Sequence, residues 1–164
     1  MKRLISAAAL LVLVGCSVVP SVPTHVQLQN AAIQKSGGPF GASYAGTEIG
    51  GFSCVLGGTF KFSGAGSAAF LHASSESGSM VWSHGFSCDL QGSATLTSTN
   101  HPHNSITVRL EYGLPGCQRS FKGMPFTVTG GTGRFANAAG SGTIRFSCYS
   151  NGTYTDQWSG TITF

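Results

Sequence analysis

The sequence predicts an all-β fold, about eight antiparallel strands closed into a barrel, and three observations carry that expectation. The first is composition. Glycine, serine and threonine fill 61 of the 164 positions, and Asp, Glu, Lys and Arg together make up only 9%. Leu, Glu and Lys are scarce, which argues against a helical bundle or coiled coil. Eleven Phe, four Tyr and two Trp are too many aromatics for a disordered, solvated chain. The second is a period-two alternation of apolar and polar residues, and the third is the turn-forming clusters that punctuate it.

The chain opens with a segment that is not part of that fold. Lys2 and Arg3 precede an uncharged, largely apolar run from Leu4 to Val14. The run is shorter than the ~20 residues needed to span a bilayer, so it reads as a secretion signal. Leu13-Val14-Gly15-Cys16 follows it and resembles the lipobox of bacterial lipoproteins. The resemblance implies a signal peptide over 1–15, acylation of Cys16, and attachment to a membrane of the bacterial cell envelope through the N-terminal lipid. Ser17 after the cysteine implies outer-membrane sorting in a cell with two membranes. Loss of Lys2 and Arg3 lowers the formal charge from +4 to +2. No basic stripe with interleaved aromatics remains, so nucleic acid is not an expected partner.

Residues 16–50, with Pro20, Pro23 and Ser36-Gly37-Gly38-Pro39, read as the lipidated N-terminus and a tether. Val26, Leu28 and Ile33 fit either a short strand or a short helix. The barrel domain is assigned to 51–164. Phe60 and Phe62, Ile106 to Leu110, Phe126 and Val128, Ile144 and Phe146, and Trp158 to Phe164 each alternate with polar residues, the signature of half-buried strands. Strands are expected near 51–62, 66–73, 78–87, 92–99, 105–112, 125–130, 141–149 and 153–164. Turns are expected at Ser63 to Gly66, Glu76-Ser77-Gly78, Asp89 to Gly92, Asn100 to Asn104, Gly113 to Gly116 and Asn151-Gly152, the last being the clearest hairpin signal. A sandwich is the competing arrangement. A closed barrel suits a chain with few charged residues to protect open edges, and the small hydroxylic polar face argues against a barrel spanning the outer membrane.

With Cys16 consumed by lipid, Cys54, Cys88, Cys117 and Cys148 remain, an even number in an exported chain, which favours two disulfides. Three pairings are possible. Cys54–Cys88 with Cys117–Cys148 closes the most local loops, each bridge contributing about 2–4 kcal/mol. No C-x-x-C spacing supports a zinc site.

Gly130-Gly131-Thr132-Gly133-Arg134-Phe135 through Gly140 is the most distinctive stretch. It lacks the strand–helix context and the downstream acid of a dinucleotide fingerprint. Read physically, it is a tight connection whose glycines allow positive φ and whose Phe135 plugs one barrel end. At Gly130, Gly131, Thr132, Gly133, Phe135, Ala138 and Gly140 it is similar to the motif of plant dirigent proteins and the wider allene-oxide-cyclase-like group. Ala136 departs from the Arg common in dirigent proteins. The resemblance implies an eight-stranded calycin-type barrel with an apolar cavity for small hydrophobic molecules. The matching positions are structural, so it transfers no catalytic residue.

Candidate cavity-lining residues are Phe60, Phe62, Phe70, His72, Trp82, His84, Phe126, Phe146, Asp156 and Trp158. Asp156 shares strand parity with Tyr154 and Trp158. Glu76 and Asp89 fall in expected turns and Glu111 on the polar parity, so no spacing supports a paired-carboxylate mechanism. His101 and His103 are one residue apart but lack a third ligand, and no serine sits in a G-x-S-x-G elbow. Asn151-Gly152-Thr153 is formally a glycosylation sequon and reads as the hairpin turn. The expectation is a barrel that binds a small hydrophobic ligand or serves structurally, with no cofactor or metal and no catalytic set. Two alternatives stand beside it: an isomerase or cyclase using His72, His84 or Asp156 as proton carriers, and a partner-binding or inhibitory protein with an exposed aromatic patch.

Overall fold

The structure, a computed structural model, describes residues 36–50, 58–82, 89–112 and 120–164. Eight strands run in order: β1 (Gly37–Ile49), β2 (Gly58–Ala68), β3 (His72–Trp82), β4 (Leu90–Ser98), β5 (Ser105–Tyr112), β6 (Ser120–Thr132), β7 (Ala139–Cys148) and β8 (Thr153–Thr163). Each pairs antiparallel with its sequence neighbours, and β8 pairs with β1 to close the barrel. Closure satisfies the backbone donors of every strand without charged edge residues.

The alternation read from sequence orients the side chains. Ile106, Val108 and Leu110 on β5, Ile144 and Phe146 on β7, and Tyr154, Trp158 and Ile162 on β8 are all buried. Phe60, Phe62, Phe146 and Tyr154 form one aromatic cluster, with ring centroids 4.9–6.3 Å apart. Inward glycines alternate with these rings. A Cβ on Gly78 would lie 2.3 Å from the Phe62 ring, and one on Gly142 would lie 2.6 Å from Phe126. Small barrels fill their interiors by this pairing of large with small.

Four expected elements fall elsewhere, and the simplest is Asp89 to Gly92, read as a turn, where Leu90, Gln91 and Gly92 already pair within β4. β1 lies inside the stretch read as tether. Gly37, Gly38, Gly41 and Gly46 dilute its alternation, leaving Phe40 and Tyr44 as its large buried residues. Next, β2 is a single strand where two were expected. Its Ser63 to Gly66 segment is not a turn, because Gly64 and Gly66 pair directly with Gly46 and Tyr44. Finally, Glu76-Ser77-Gly78 is the middle of β3 and pairs with β2 and β4 on its two sides. Asn151-Gly152 does turn β7 into β8, with Gly152 at φ +76° and its N–H donating to the Tyr149 carbonyl.

One barrel end carries the turns 69–71, 99–104 and 133–138. Here β6 leads into a 3-10 turn (Gly133–Phe135), and Phe135 seals the interior as expected, fully buried. The second end carries the β7–β8 turn. The signal, Cys16, residues 26–33, Cys54, His84, Cys88 and Cys117 lie outside the described residues, so the expected cysteine pairing is represented only by Cys148, half-buried at the end of β7.

Candidate functional site

Two neighbouring rows of inward residues cross β8, β1, β2 and β3. Strand register sets the first as Tyr154, Gly46, Gly64 and Glu76, and the second as Asp156, Tyr44, Gly66 and Ser74. The glycines leave the wall bare between the end members, so long side chains lie flat across two strands. Tyr154 does so over Gly64, where an added Cβ would be 2.5 Å from its hydroxyl, and donates to Glu76 Oε2 at 2.9 Å. Tyr44 crosses Gly66 to hydrogen-bond Ser74 Oγ at 2.8 Å, and Ser74 Oγ in turn donates to the His72 carbonyl at 3.1 Å. The Tyr44 backbone N–H donates to Asp156 Oδ1 at 3.1 Å.

This brings Glu76 and Asp156, 80 residues apart in the chain, face to face with 1% and 2% of their surface exposed. Among the described residues, no N–H or O–H donor reaches Glu76 Oε1 or Asp156 Oδ2. Burial, then the Asp156 charge, pushes Glu76 from its ordinary 4.5 up to about 9, opposed by the Tyr154 hydrogen bond. Burial also raises Asp156, but only to about 6, because its bonds to Glu76 and to the Tyr44 N–H favour the charged form. The Trp158 indole pulls in the same direction, although its Nε1 does not reach hydrogen-bonding geometry. Burial raises both carboxyls, so the pair retains a proton towards neutral pH and titrates as a unit. Burial raises both tyrosines well above their ordinary range, so they stay neutral phenols.

Of the expected cavity-lining residues, Phe60, Phe62, Trp82, Phe126, Phe146, Asp156 and Trp158 all point inward and are buried. Phe70 and His72 do not line the interior. Phe70 is half-buried in the β2–β3 turn with its ring 5.3 Å from that of Phe164, and His72 is exposed at the start of β3. Both have positive φ, which turns them away from the inward parity. The missing member is Glu76, placed in a turn because Ser and Gly surround it. Its signal was present all the same: Ser74, Glu76, Met80 and Trp82 share one parity and are all buried. Phe60, Phe62, Phe146 and Trp158 fill the interior, and the clefts on the outside include ones of about 510, 320 and 220 Å³. The first lies behind the acid pair, lined by outward residues such as Ser43, Arg145 and Gln157, with Tyr44 and Asp156 at its floor.

No family model matches the chain, and no curated protein matches it. Among solved structures, the pterocarpan synthase dirigent protein GePTS1 aligns over 91% of this chain and 98% of its own, with a TM-score of 0.56 and 11% identity. That likeness is of fold. The chain has a dirigent-like eight-stranded barrel.

Proposed function

We propose that this chain is a lipoprotein of the bacterial envelope, acylated at Cys16, whose barrel binds a small, mostly apolar molecule through one polar contact, the Glu76–Asp156 pair. The observation that carries the reading is that pair: two carboxyl groups buried among aromatic rings, each with an oxygen that no donor among the described residues reaches. Burying ionisable groups costs several kcal/mol each, and apolar residues of similar volume would serve stability as well or better. Side chains fill the interior, so a ligand bearing a hydroxyl or carbonyl group would meet the pair from the cleft of about 510 Å³ that has Tyr44 and Asp156 at its floor.

The test is native mass spectrometry on the full chain recovered from membranes of the cells that make it. The expected result is a mass increment that Glu76→Gln and Asp156→Asn reduce. Bare protein in repeated preparations, with no small-molecule pool restoring an increment, overturns the reading. Anchoring is tested separately: Cys16→Ser is expected to move the protein out of the membrane fraction.

A second reading is an isomerase or cyclase, favoured by two buried carboxyl groups brought together on one wall, both raised by burial and so able to exchange a proton with a ligand. Glu76 donates its proton to a ligand oxygen while Asp156 takes one from carbon, leaving the pair's total unchanged. Exposed His72 takes no part in this version. Deuterium entering a carbon position of the recovered ligand in heavy water supports it, and a ligand left unlabelled removes it.

A further inference from the structure

Two stretches that stand out in the sequence, Asn100 to Asn104 and Gly130 to Gly140, meet at the barrel end that Phe135 seals. Thr132 Oγ1 donates to the His103 carbonyl at 2.6 Å, and the Arg134 N–H donates to Asn104 Oδ1 at 3.2 Å. Gly133, at φ +58°, packs where a Cβ would strike Asn104 Oδ1. The β2–β3 turn completes the rim, with non-glycine residues Phe70 at φ +69° and His72 at φ +58°. Two left-handed non-glycine residues so close together mark a backbone held by its surroundings, a feature that clusters at binding sites.

Arg134 is fixed from two sides. Its guanidinium donates to the Phe70 carbonyl and lies 4.7 Å from the Phe135 ring centroid and 5.8 Å from that of Phe164. It opens onto a cleft of about 220 Å³ shared with His72, His101, Ser98 and Asn104. All five Asp and Glu side chains of the sequence stand elsewhere. Glu76 and Asp156 are inside the barrel, and Glu48, Asp89 and Glu111 lie toward the opposite end. Among the described residues, Arg134 has no carboxylate partner. A guanidinium placed by these contacts, with two imidazoles and the Asn104 amide around a small cleft, is a donor set without its acceptor.

We propose that this cleft binds a phosphoryl group, held by Arg134 with His72 and His101, whether as free phosphate or carried on a lipid headgroup. A tetrahedral oxyanion presents several acceptor oxygens to donors arriving from three turns, and Arg meets two of them at once. The site is separate from the acid pair and does not depend on that pair's role.

The experiment follows the imidazole NMR signals of His72 and His101 in the full chain during titration with inorganic phosphate. A second titration uses a short-chain phosphatidic acid below its micelle concentration, and chloride at matched ionic strength is the control. The expected result is a saturable shift that chloride does not produce, with affinity weakened about tenfold in Arg134→Gln. His101→Gln alters an exposed turn without touching the contacts that hold Arg134. It is expected to weaken binding several-fold with an unchanged circular dichroism spectrum, so loss of affinity is separable from loss of fold. Saturation by both compounds assigns the site to phosphate itself, and saturation by the phosphatidic acid alone assigns it to a headgroup. Shifts that only track ionic strength, or affinity retained in both variants, overturn the proposal.

Discussion

The two halves of the barrel wall are built to different ends. Across β4, β5 and β6 the mid-barrel interior is aliphatic but for Phe126: Ala94, Leu96, Ile106, Val108, Leu110, Met124 and Val128 are each at most 5% exposed. Across β8, β1, β2 and β3 the same depth holds two acids, two tyrosines, a serine and bare glycines. One row of register joins the halves, where Glu76 pairs with Leu96 and Leu96 with Ile106. The aliphatic half supplies the burial that drives closure. The polar half draws on that stability, since ionisable groups there are held away from water. The candidate chemistry thus occupies one side of the cylinder, among aromatic rings, and the aliphatic residues the other.

That division can be broken or sharpened by substitution. The largest effect is expected on the aliphatic side, where Ile106→Ala removes a fully buried side chain and costs about 2–5 kcal/mol in denaturant unfolding. A loss well under that range means this wall is not the main source of stability. Gly64→Ala comes next, at about 1–3 kcal/mol, because the new Cβ would sit 2.5 Å from the Tyr154 hydroxyl and 2.8 Å from the Ala45 carbonyl oxygen. It also lifts Tyr154 off Glu76, so the Glu76 titration should move with the stability.

Glu76→Gln is expected to act mainly through pH. Glu76 binds its proton more tightly folded than unfolded, so its contribution is greatest at and below pH 4.5 and falls as pH rises towards about 9. Asp156 slopes the same way between 3.8 and about 6. The Gln variant loses the upper slope. It should match wild type near pH 5 and become the more stable of the two as pH rises towards 9. Parallel pH profiles would mean that Glu76 is ionised in the folded state. Tyr154→Phe is the smallest change, about 1 kcal/mol. It removes the one bond that lowers Glu76, so the Glu76 midpoint should rise further.

The same division decides what the sequence discloses. The aliphatic strands announce themselves, since Ile106, Val108 and Leu110 alternate cleanly with Thr107, Arg109 and Glu111. Asp156 is legible for a similar reason, placed between Tyr154 and Trp158. On the other side, the glycines and serines that make room for the tyrosines are also turn formers. β1 therefore reads as tether, and Ser63 to Gly66 and Glu76 to Gly78 read as turns. The meeting of Glu76 with Asp156 depends on register across four strands. That is a long-range property, and local alternation carries no record of it.

The central claim, a proton held by a carboxyl pair inside the barrel at neutral pH, is tested most directly by infrared spectroscopy of the full chain. With only five Asp and Glu side chains, the carboxyl region is sparse enough to read one group at a time. The account predicts a protonated-carboxyl stretch that persists at pH 7, fades as pH approaches about 9, and is absent in Glu76→Gln. A wild-type spectrum at pH 7 with every side-chain carboxyl ionised would contradict it.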